Sequence, residues 1–425
     1  MRLGGLIVVG LSMMTMARPA AATAGYLFGW GPRDISLAQS DVADVASVAA
    51  VWVNPSLAWE PGARMAVGYV YGWTALEWNV ELVKLRYIAG TQVGFQLGGE
   101  LGSDIALGGA VVMHIPDRSL ARVSFLPGTE PVFFRFDPAS QRTTMDAVLA
   151  LRLGWLSIGV GGEVFVSAQG DVDFVLGQDA NGTYADGEAQ VTLAYDVTWL
   201  AGLTMDLGAA KLGLRYRGAQ ALDVDLSTLA TVDVQGNPLN GTTKVRIVGR
   251  SGYVPATVDL GASWTVGAVG HVMTSLQYAR WSDAPSPVAA LSMDVDLGLS
   301  PGLRQGSFVM PGFRDTVSPR VGMEMEPWGE EAVALRAGYQ YSPSPVRVSR
   351  GFASPMDAST HGFALGAGVD CGRVWGVDIR SDAAWQWLML ERRTLDKPGD
   401  ALPFSHSEVS GSVKLMSVSV QGGWL

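Results

Sequence analysis

Residues 156–166 have the sequence LSIGVGGEVFV and alternate with a period of two. One face of this segment is apolar except for a glycine, as shown by Leu156, Ile158, Val160, Gly162, Val164 and Val166. The other face carries serine, two glycines and Glu163, together with Phe165. A β-strand with one lipid face and one polar face has this pattern. We therefore expect residues 156–166 to cross a membrane as a strand.

The same alternation recurs along the chain after residue 63. Residues 65–73, 333–342 and 374–389 each place aromatic and aliphatic side chains opposite glycine, polar or charged ones. Counting such segments predicts 14 strands, near 64–78, 81–101, 104–115, 142–153, 155–172, 191–207, 210–226, 243–265, 270–297, 312–326, 332–349, 359–370, 373–393 and 408–424. Short and long connections alternate between them, which is typical of an outer-membrane barrel with periplasmic turns and external loops.

Composition supports a closed antiparallel barrel, an all-β fold. The 425 residues are 48% hydrophobic and only 16% charged, whereas soluble domains are about 25% charged. Past residue 24 no run of 18 apolar residues occurs, and a helical span needs about 20. Only helices and closed barrels span lipid. A soluble β-sandwich is the alternative, but its outward face would be polar. The net charge of −10 argues against a nucleic-acid partner.

The N-terminal region divides into two parts. Arg2, the apolar stretch 3–16 and the small residues at 22–24 are typical of a secretory signal peptide spanning residues 1–24, with an uncleaved anchor as the alternative. Residues 25–62 do not alternate but are rich in alanine and valine. This apolar content argues against disorder. We expect a plug, or hatch, of residues 25–62 inside a barrel formed by residues 63–425.

Charges predict contacts between this hatch and the wall. The hatch carries Arg33, Asp34, Asp41 and Asp44, and inward strand positions carry Glu163, Arg215, Arg217, Arg336, Asp378, Arg380 and Asp382. Because an unpaired buried charge is costly, we expect ion pairs that tie hatch to wall. Scattered charges in a hydrated lumen are the alternative.

Loop 116–141 is unusually apolar for an exposed connection. It contains Phe125, Phe133, Phe134 and Phe136, and Arg118, Arg122 and Arg135 lie near them in sequence. Such a patch indicates either a site for a hydrophobic ligand, with arginine available to a carboxylate head group, or packing of the loop on itself.

No enzyme motif is present. The chain lacks G-x-S-x-G, H-E-x-x-H and P-loop sequences, and its four histidines have no metal-ligand spacing. We expect a protein that is not an enzyme and has no metal or other cofactor. A barrel hydrolase with a site assembled from distant strands is the alternative.

Short motifs occur in a fixed order along the chain: Gly31-Pro32-Arg33, Asn54-Pro55-Ser56-Leu57, Tyr216-Arg217, Tyr278-Ala279-Arg280-Trp281-Ser282, Gly312-Phe313-Arg314-Asp315, Tyr341-Ser342-Pro343-Ser344-Pro345-Val346, Pro355 and Asp357. Together they resemble the motifs of the FadL-type outer-membrane transporters of long-chain fatty acids and other hydrophobic compounds. Ser56 replaces the alanine usual in the family. A related barrel family of secretion-accessory proteins shares the hatch pattern but lacks the Trp-Ser and Ser-Pro-Val features.

The resemblance implies a monomeric 14-stranded outer-membrane barrel of a Gram-negative bacterium. It implies a hatch that includes Gly31, Arg33, Asn54 and Pro55, and a ligand site near Tyr26 and Phe28. It also implies a lateral gap at a kinked third strand, which places Met113, His114 and Pro116 at a gate. The alternative is that Pro116 simply ends the strand, because proline has no ladder donor.

The implied function is passive uptake of fatty acids or hydrocarbons by capture at outer loops and lateral release. Membrane lipid, lipopolysaccharide and the barrel assembly machinery would be its other partners. Such barrels usually end on an aromatic residue, and here Trp424 precedes the final Leu425. A secretion-accessory or surface-structural barrel that binds a protein partner is the alternative function.

Overall fold

The computed structural model describes 20 strands and a helical N-terminal segment. The described residues are 24–45, 47–83, 85, 87–117, 131–133, 135–136, 142–179, 182–234, 241–267, 270–284, 290–296, 312–327, 333–347, 354–397 and 404–424. The strands are β1 (Gly62–Trp78), β2 (Glu81–Val83), β3 (Ile88–Glu100), β4 (Ile105–Pro116), β5 (Pro131–Phe133), β6 (Thr144–Leu153), β7 (Leu156–Asp179), β8 (Gly182–Asp206), β9 (Ala210–Arg217), β10 (Gln220–Val234), β11 (Gly241–Val254), β12 (Thr257–Val266), β13 (Gly270–Ala279), β14 (Ala290–Asp296), β15 (Thr316–Met325), β16 (Val333–Ser342), β17 (Ser354–Met356), β18 (Thr360–Val374), β19 (Val377–Asp396) and β20 (His406–Trp424).

Fourteen of these strands form a closed antiparallel barrel. In order around the wall they are β1, β3, β4, β6, β7, β8, β9, β12, β13, β15, β16, β18, β19 and β20. The ladder closes between β1 and β20, where Ala63 pairs with Trp424 and Trp78 pairs with Val409. Closure leaves no wall strand with an unpaired edge, as lipid requires.

The outer surface of the wall is apolar. Along β15 every second residue is buried, while Val317, Val321 and Met323 point outward and are exposed. Exposed tryptophans mark the end of the barrel with short turns, at positions 155, 264, 375 and 424. Exposed tyrosines lie farther from the turns, at positions 69, 71, 216 and 278. An apolar band with aromatic residues on both sides is the pattern of a lipid-facing barrel. Among the described residues, no helix has the length and apolarity to cross a membrane.

The 14 strands predicted from the sequence are present, but several break near the end of the barrel with long loops. The predicted second strand is a short hairpin strand, β2, followed by β3. The predicted eighth strand divides into β11 and β12 at Pro255, which cannot donate to a ladder. The predicted ninth ends at Ala279, and a 3-10 turn at Trp281–Asp283 separates it from β14, which pairs with β11. The fifth strand continues as far as Asp179.

Residues 24–61 form the N-terminal segment, which consists of short helices and turns. Helical turns span Ala24–Phe28, Gly31–Ser36, Ala50–Val53 and Pro55–Leu57. Gly31 has a φ of +76°, a backbone conformation that favours glycine. Pro32 follows it in the first turn of the helix Gly31–Ser36, where proline is favourable. Nearly all side chains of residues 28–58 are buried, including Ile35, Val48 and Val51. This segment contacts the inward faces of strands from several sides of the barrel, including β4, β6, β7, β8, β16, β18, β19 and β20.

Candidate functional site: the lumen between the N-terminal segment and the wall

Glycines on the inner wall let the backbone of the N-terminal segment lie directly against the strands. At ten inward glycines a Cβ atom would come within 2.7 Å of the segment: Gly94, Gly98, Gly108, Gly159, Gly202, Gly213, Gly261, Gly322, Gly338 and Gly366. From Ser36 to Glu60 the segment passes β18, β16, β15, β12, β9, β8, β7, β4 and β3 in turn. It therefore follows most of the inner circumference and is held by close backbone contact.

Asn54 makes five hydrogen bonds, three within the N-terminal segment and two to the wall. Its side-chain oxygen accepts from the backbone N–H of Ser56 (3.2 Å) and from the Ser56 hydroxyl (2.8 Å). Its amide nitrogen donates to the carbonyl of Val42 (2.8 Å) and to Thr204 Oγ1 and the Leu203 carbonyl of β8. Asn54 is fully buried and caps the 3-10 turn that Pro55 begins.

Arg33 connects the segment to three wall strands through an alternating chain of charges. Its guanidinium binds Asp41 at 3.1 Å within the segment and Glu324 of β15 at 2.8 Å. Glu324 also binds Arg336 of β16, which in turn binds Asp382 of β19 at 2.6 Å. Lys211 of β9 binds Asp44 at 2.8 Å. The expected hatch–wall ion pairs are thus present, although their wall partners Glu324 and Lys211 were not among those predicted.

Asp34 and Asp41 form a buried carboxyl pair within the segment. Both are 1% exposed, and Oδ1 of each has no hydrogen-bond partner in the described part of the chain. Oδ2 of Asp34 accepts from the backbone N–H of Trp30 at 2.7 Å. Burial raises the pKa of Asp34 well above its usual value, and the negative Asp41 raises it further. Burial and the neighbouring Asp41 together favour the protonated form of Asp34.

A cavity of about 90 Å³ lies between the N-terminal segment and the wall. Its apolar lining comes from Leu27 and Trp52 of the segment and from Phe136 and Trp281. Tyr26 also lines it and packs edge-on against Trp52, with ring centroids 5.0 Å apart. Phe28 is fully buried in the cluster of apolar side chains that includes Phe133 and Phe136. Of the predicted ligand residues, Tyr26 and Phe136 line the cavity, whereas Phe28 and Phe133 lie in this cluster and are not among the lining residues.

Arginine side chains form the polar part of the same lining. Arg215 binds Oδ2 of Asp259 at 2.8 Å, and Arg320 lies 3.4 Å from Oδ1 of the same carboxylate. One aspartate therefore balances two guanidinium groups. Arg217 binds Glu163 at 2.6 Å and stacks on the ring of Trp52 at 3.7 Å.

Two of these arginines have an N–H group left over. The Nε–H groups of Arg217 and Arg320 are buried and have no acceptor among the described residues. A buried donor without an acceptor is costly. The two free donors make this part of the cavity suited to an anionic group.

Arg135 fixes the loop that covers the cavity. Its guanidinium binds Asp357 at 2.8 Å and donates to the Ala358 carbonyl at 2.7 Å. The short strands β5 and β17 pair beside this contact, from Pro131–Ser354 to Phe133–Met356. Phe133 and Phe136 thereby reach the apolar cluster within the barrel. Phe125 and Phe134, together with Arg118 and Arg122, lie outside the described residues.

The predicted gate residues lie at the loop end of β4. His114 faces inward and is 3% exposed, and Met113 is half-buried. Pairing of β4 with β3 continues to Pro116, opposite Gly90. Pairing with β6 continues to His114, opposite Thr144, with no irregularity in the register. Pro116 is the last residue of the strand.

Sequence analysis missed several inward polar residues. Asp259, Arg320, Glu324 and Asp146 all occupy the polar face of alternating strands, so the period-two pattern contained the signal. Asp378 was predicted to face the lumen, but it is exposed and binds Arg373 beside the short turn between β18 and β19. The high glycine content was evident from the sequence, but it did not indicate which glycines face inward or that the N-terminal segment lies against them.

Comparisons with known proteins agree with this architecture. No family model and no curated protein matches the chain by sequence. The fold is similar to a solved FadL homologue from Pseudomonas aeruginosa, with 13% identity, 96% of this chain and 99% of that chain covered, and a TM-score of 0.54. It is equally similar to the toluene transporter TodX of P. putida, with 16% identity, coverage of 94% and 99%, and a TM-score of 0.54. Over almost its whole length, the chain therefore has the fold of the FadL-type barrels.

Proposed function

We propose that this protein is an outer-membrane channel of a Gram-negative bacterium for the passive uptake of hydrophobic small molecules, and that it is not an enzyme. The supporting observation is the cavity, whose lining combines aromatic side chains with buried arginine N–H donors. Apolar walls with a few oriented polar groups are typical of small-molecule sites. The FadL homologue and the toluene transporter that share the fold are consistent with such a cargo.

The arginines favour a long-chain carboxylic acid over a pure hydrocarbon as cargo. Arg215 and Arg320 share one carboxylate, and the Nε–H of Arg320 is free to bind another. A carboxylate accepts charge-assisted hydrogen bonds from guanidinium groups. A hydrocarbon would leave these buried donors without partners.

The cavity corresponds to a closed state. Its volume of about 90 Å³ is smaller than the roughly 150 Å³ cavity that admits benzene in an engineered protein core. A long acyl chain therefore enters only if a lining element moves. Residues 36–60 lie against wall glycines, whereas Tyr26 and Leu27 precede this part and are half-buried, and the Tyr26 hydroxyl donates to Glu163 or Gln220 of the wall. We assign the hatch function to residues 25–62 and the movable part to its first residues.

Release into the membrane would proceed sideways, through the wall near Met113, His114 and Pro116. Proline at position 116 limits the pairing of β4 at its loop end. The apolar outer face indicates membrane lipid as a neighbour, with lipopolysaccharide at the loop end. Each wall strand described here pairs with a neighbour on both sides within the same chain, which supports a monomer. As an outer-membrane barrel, it would be inserted by the barrel assembly machinery.

Binding to the purified protein tests this function. The protein in lipid nanodiscs is titrated with hexadecanoic acid and, separately, with hexadecane. We expect saturable binding of the acid to wild type, and a loss of about tenfold in affinity in Arg320→Gln, since a hydrogen bond to a charged group contributes about 1.5–3 kcal/mol. Arg373→Gln, which alters an exposed turn, is the matched control. Absence of saturable binding of either compound would contradict the proposal.

A further inference from the structure

Four polar side chains on the inner face of three adjacent strands are buried with most of their hydrogen-bonding atoms unpartnered among the described residues; one exception is Oε1 of Gln92, which accepts from the backbone N–H of Gly31 at 3.1 Å. They are Gln92 and Gln96 of β3, His114 of β4 and Asp146 of β6, and none is more than 3% exposed. Seven of their nitrogen and oxygen atoms have no hydrogen-bond partner among the described residues. Each such atom costs about 1–3 kcal/mol, and folded proteins rarely leave so many together. These four side chains are here called the polar patch; partners for their free atoms would have to come from a ligand or from water.

Strand register places the members of the polar patch side by side. His114 lies directly opposite Gln92 on one side and Thr144 on the other. Asp146 follows Thr144 by two residues and so shares its face. Side chains directly opposite each other on antiparallel strands have Cβ atoms about 4.5–5.5 Å apart. Gln92 and His114 are thus direct neighbours. Asp146 lies opposite Val112, the next inward position of β4, and Gln96 lies opposite Ala110, with Gly94 between it and Gln92.

The polar patch lies between the cavity and the predicted gate. Asp146 is opposite Glu163, which accepts a hydrogen bond from the Tyr26 hydroxyl and binds Arg217. Tyr26 and Arg217 both line the cavity. At its other side the patch contains His114, next to Met113. A molecule that moves from the cavity toward the wall at β4 passes these side chains.

The chemistry of the patch fits a neutral group that both donates and accepts hydrogen bonds. Its members are one imidazole, two amides and one carboxyl, and Asp146 disfavours an anion. Arg142 lies on the same face as Thr144, but its guanidinium stacks over the ring of Phe165 at 5.9 Å and is not counted as a member of the patch. Apolar residues surround the patch, including Val112 and Val48. A hydroxyl group satisfies these donors and acceptors, whereas a bare methylene chain leaves them all unpaired.

We propose that the polar patch binds a hydroxyl group, so that the cargo class is hydroxylated long-chain acids. This inference rests on the proposed uptake function and adds a second polar site to the arginine site. It predicts that the protein distinguishes acids that differ only in one hydroxyl group. Ordered water filling the patch in the presence of every ligand is the competing explanation, and it predicts no such distinction.

Equilibrium binding of matched acids tests the proposal. Wild-type protein in lipid nanodiscs is titrated with hexadecanoic acid, ω-hydroxyhexadecanoic acid and a mid-chain hydroxyhexadecanoic acid. We expect at least one hydroxy acid to bind about tenfold more tightly than hexadecanoic acid, which corresponds to roughly one buried hydrogen bond. Gln96→Leu and Asp146→Leu should each reduce that preference to less than about threefold. Gln96→Leu removes unpartnered buried polar atoms, whereas Asp146→Leu also removes a carboxyl near Arg217 and Arg215, so heat-dependent electrophoretic mobility is used to confirm that each variant is folded.

Gln386→Leu is the matched control. Gln386 is also fully buried with both side-chain atoms unpartnered in the described structure, but it lies on β19, outside the patch. Its variant should keep the full preference. Equal affinity of wild type for all three acids, or a preference that survives in both patch variants, would overturn the polar-patch proposal while leaving uptake intact. Failure of all three acids to bind would contradict the uptake function itself.

Discussion

Replacing Asn54 by alanine should release part of the N-terminal segment without opening the barrel. The substitution removes the partners of two buried backbone groups, the Ser56 N–H and the Val42 carbonyl. Thr204 and Ser56 keep the hydrogen bond between their hydroxyls at 2.7 Å. Two orphaned groups at about 1–2 kcal/mol each give a loss of about 2–4 kcal/mol. The segment should therefore open roughly 30- to 700-fold more often.

Hydrogen exchange followed by mass spectrometry measures this opening directly. Peptides that cover residues 47–61 should exchange faster in Asn54→Ala by that factor, because exchange reports local opening. Peptides from β19 and β20 serve as internal controls and should not change. Thr204→Val is a graded comparison: it removes only side-chain partners, and we expect a loss of about 1 kcal/mol, or roughly fivefold. Equal exchange of the segment in wild type and Asn54→Ala would refute the assignment of Asn54 as its anchor.

Three further predictions concern the segment and the cavity. Gly98→Ala should displace the segment and raise its exchange, because the new Cβ would lie 2.3 Å from the Glu60 carbonyl, whereas Gly99→Ala meets open space and should not. Because the pKa of Asp34 is raised in the folded protein, its proton stabilises the N-terminal segment at low pH, and this stabilisation is lost as pH rises through that pKa. The segment should then open more often, so single-channel conductance should increase with pH. Asp34→Asn should abolish this dependence. Phe136→Ala should enlarge the cavity and increase the association rate of hexadecanoic acid in stopped-flow binding, and an unchanged rate would show that this side chain does not restrict entry.

The barrel was predictable because its determinants are local. Alternation in segments such as 156–166 identifies lipid-facing strands whatever their neighbours are, and a closed barrel is then the one arrangement that satisfies their backbone groups. Breaks at the loop end were missed because pairing partners, not alternation, decide where a ladder stops. Pro255 was the one break with a local signal.

The lumen was predictable in composition but not in pairing. Alternation indicates that Glu324 and Asp259 face inward, yet their partners are 291 and 44 residues distant along the chain. These pairings depend on the order of the strands in the barrel and on the path of the N-terminal segment. The alternation of residues along a strand gives no information about either. The role of the wall glycines, which is to allow close contact with the N-terminal segment, likewise becomes evident only in the structure. The apolar loop was recognised from Phe133 and Phe136, while the contact of Arg135 with Asp357 required the structure.

Uptake by cells tests the central claim most directly. Cells that lack their own fatty-acid transporter are made to express this chain, and entry of radiolabelled hexadecanoic acid is timed, with heat-dependent electrophoretic mobility confirming a folded barrel. We expect wild type to take up the acid faster than cells with an empty vector, and Arg320→Gln to fall toward the empty-vector rate. Arg373→Gln should match wild type. Uptake no faster than the empty vector, from a barrel shown to be inserted and folded, would contradict the account.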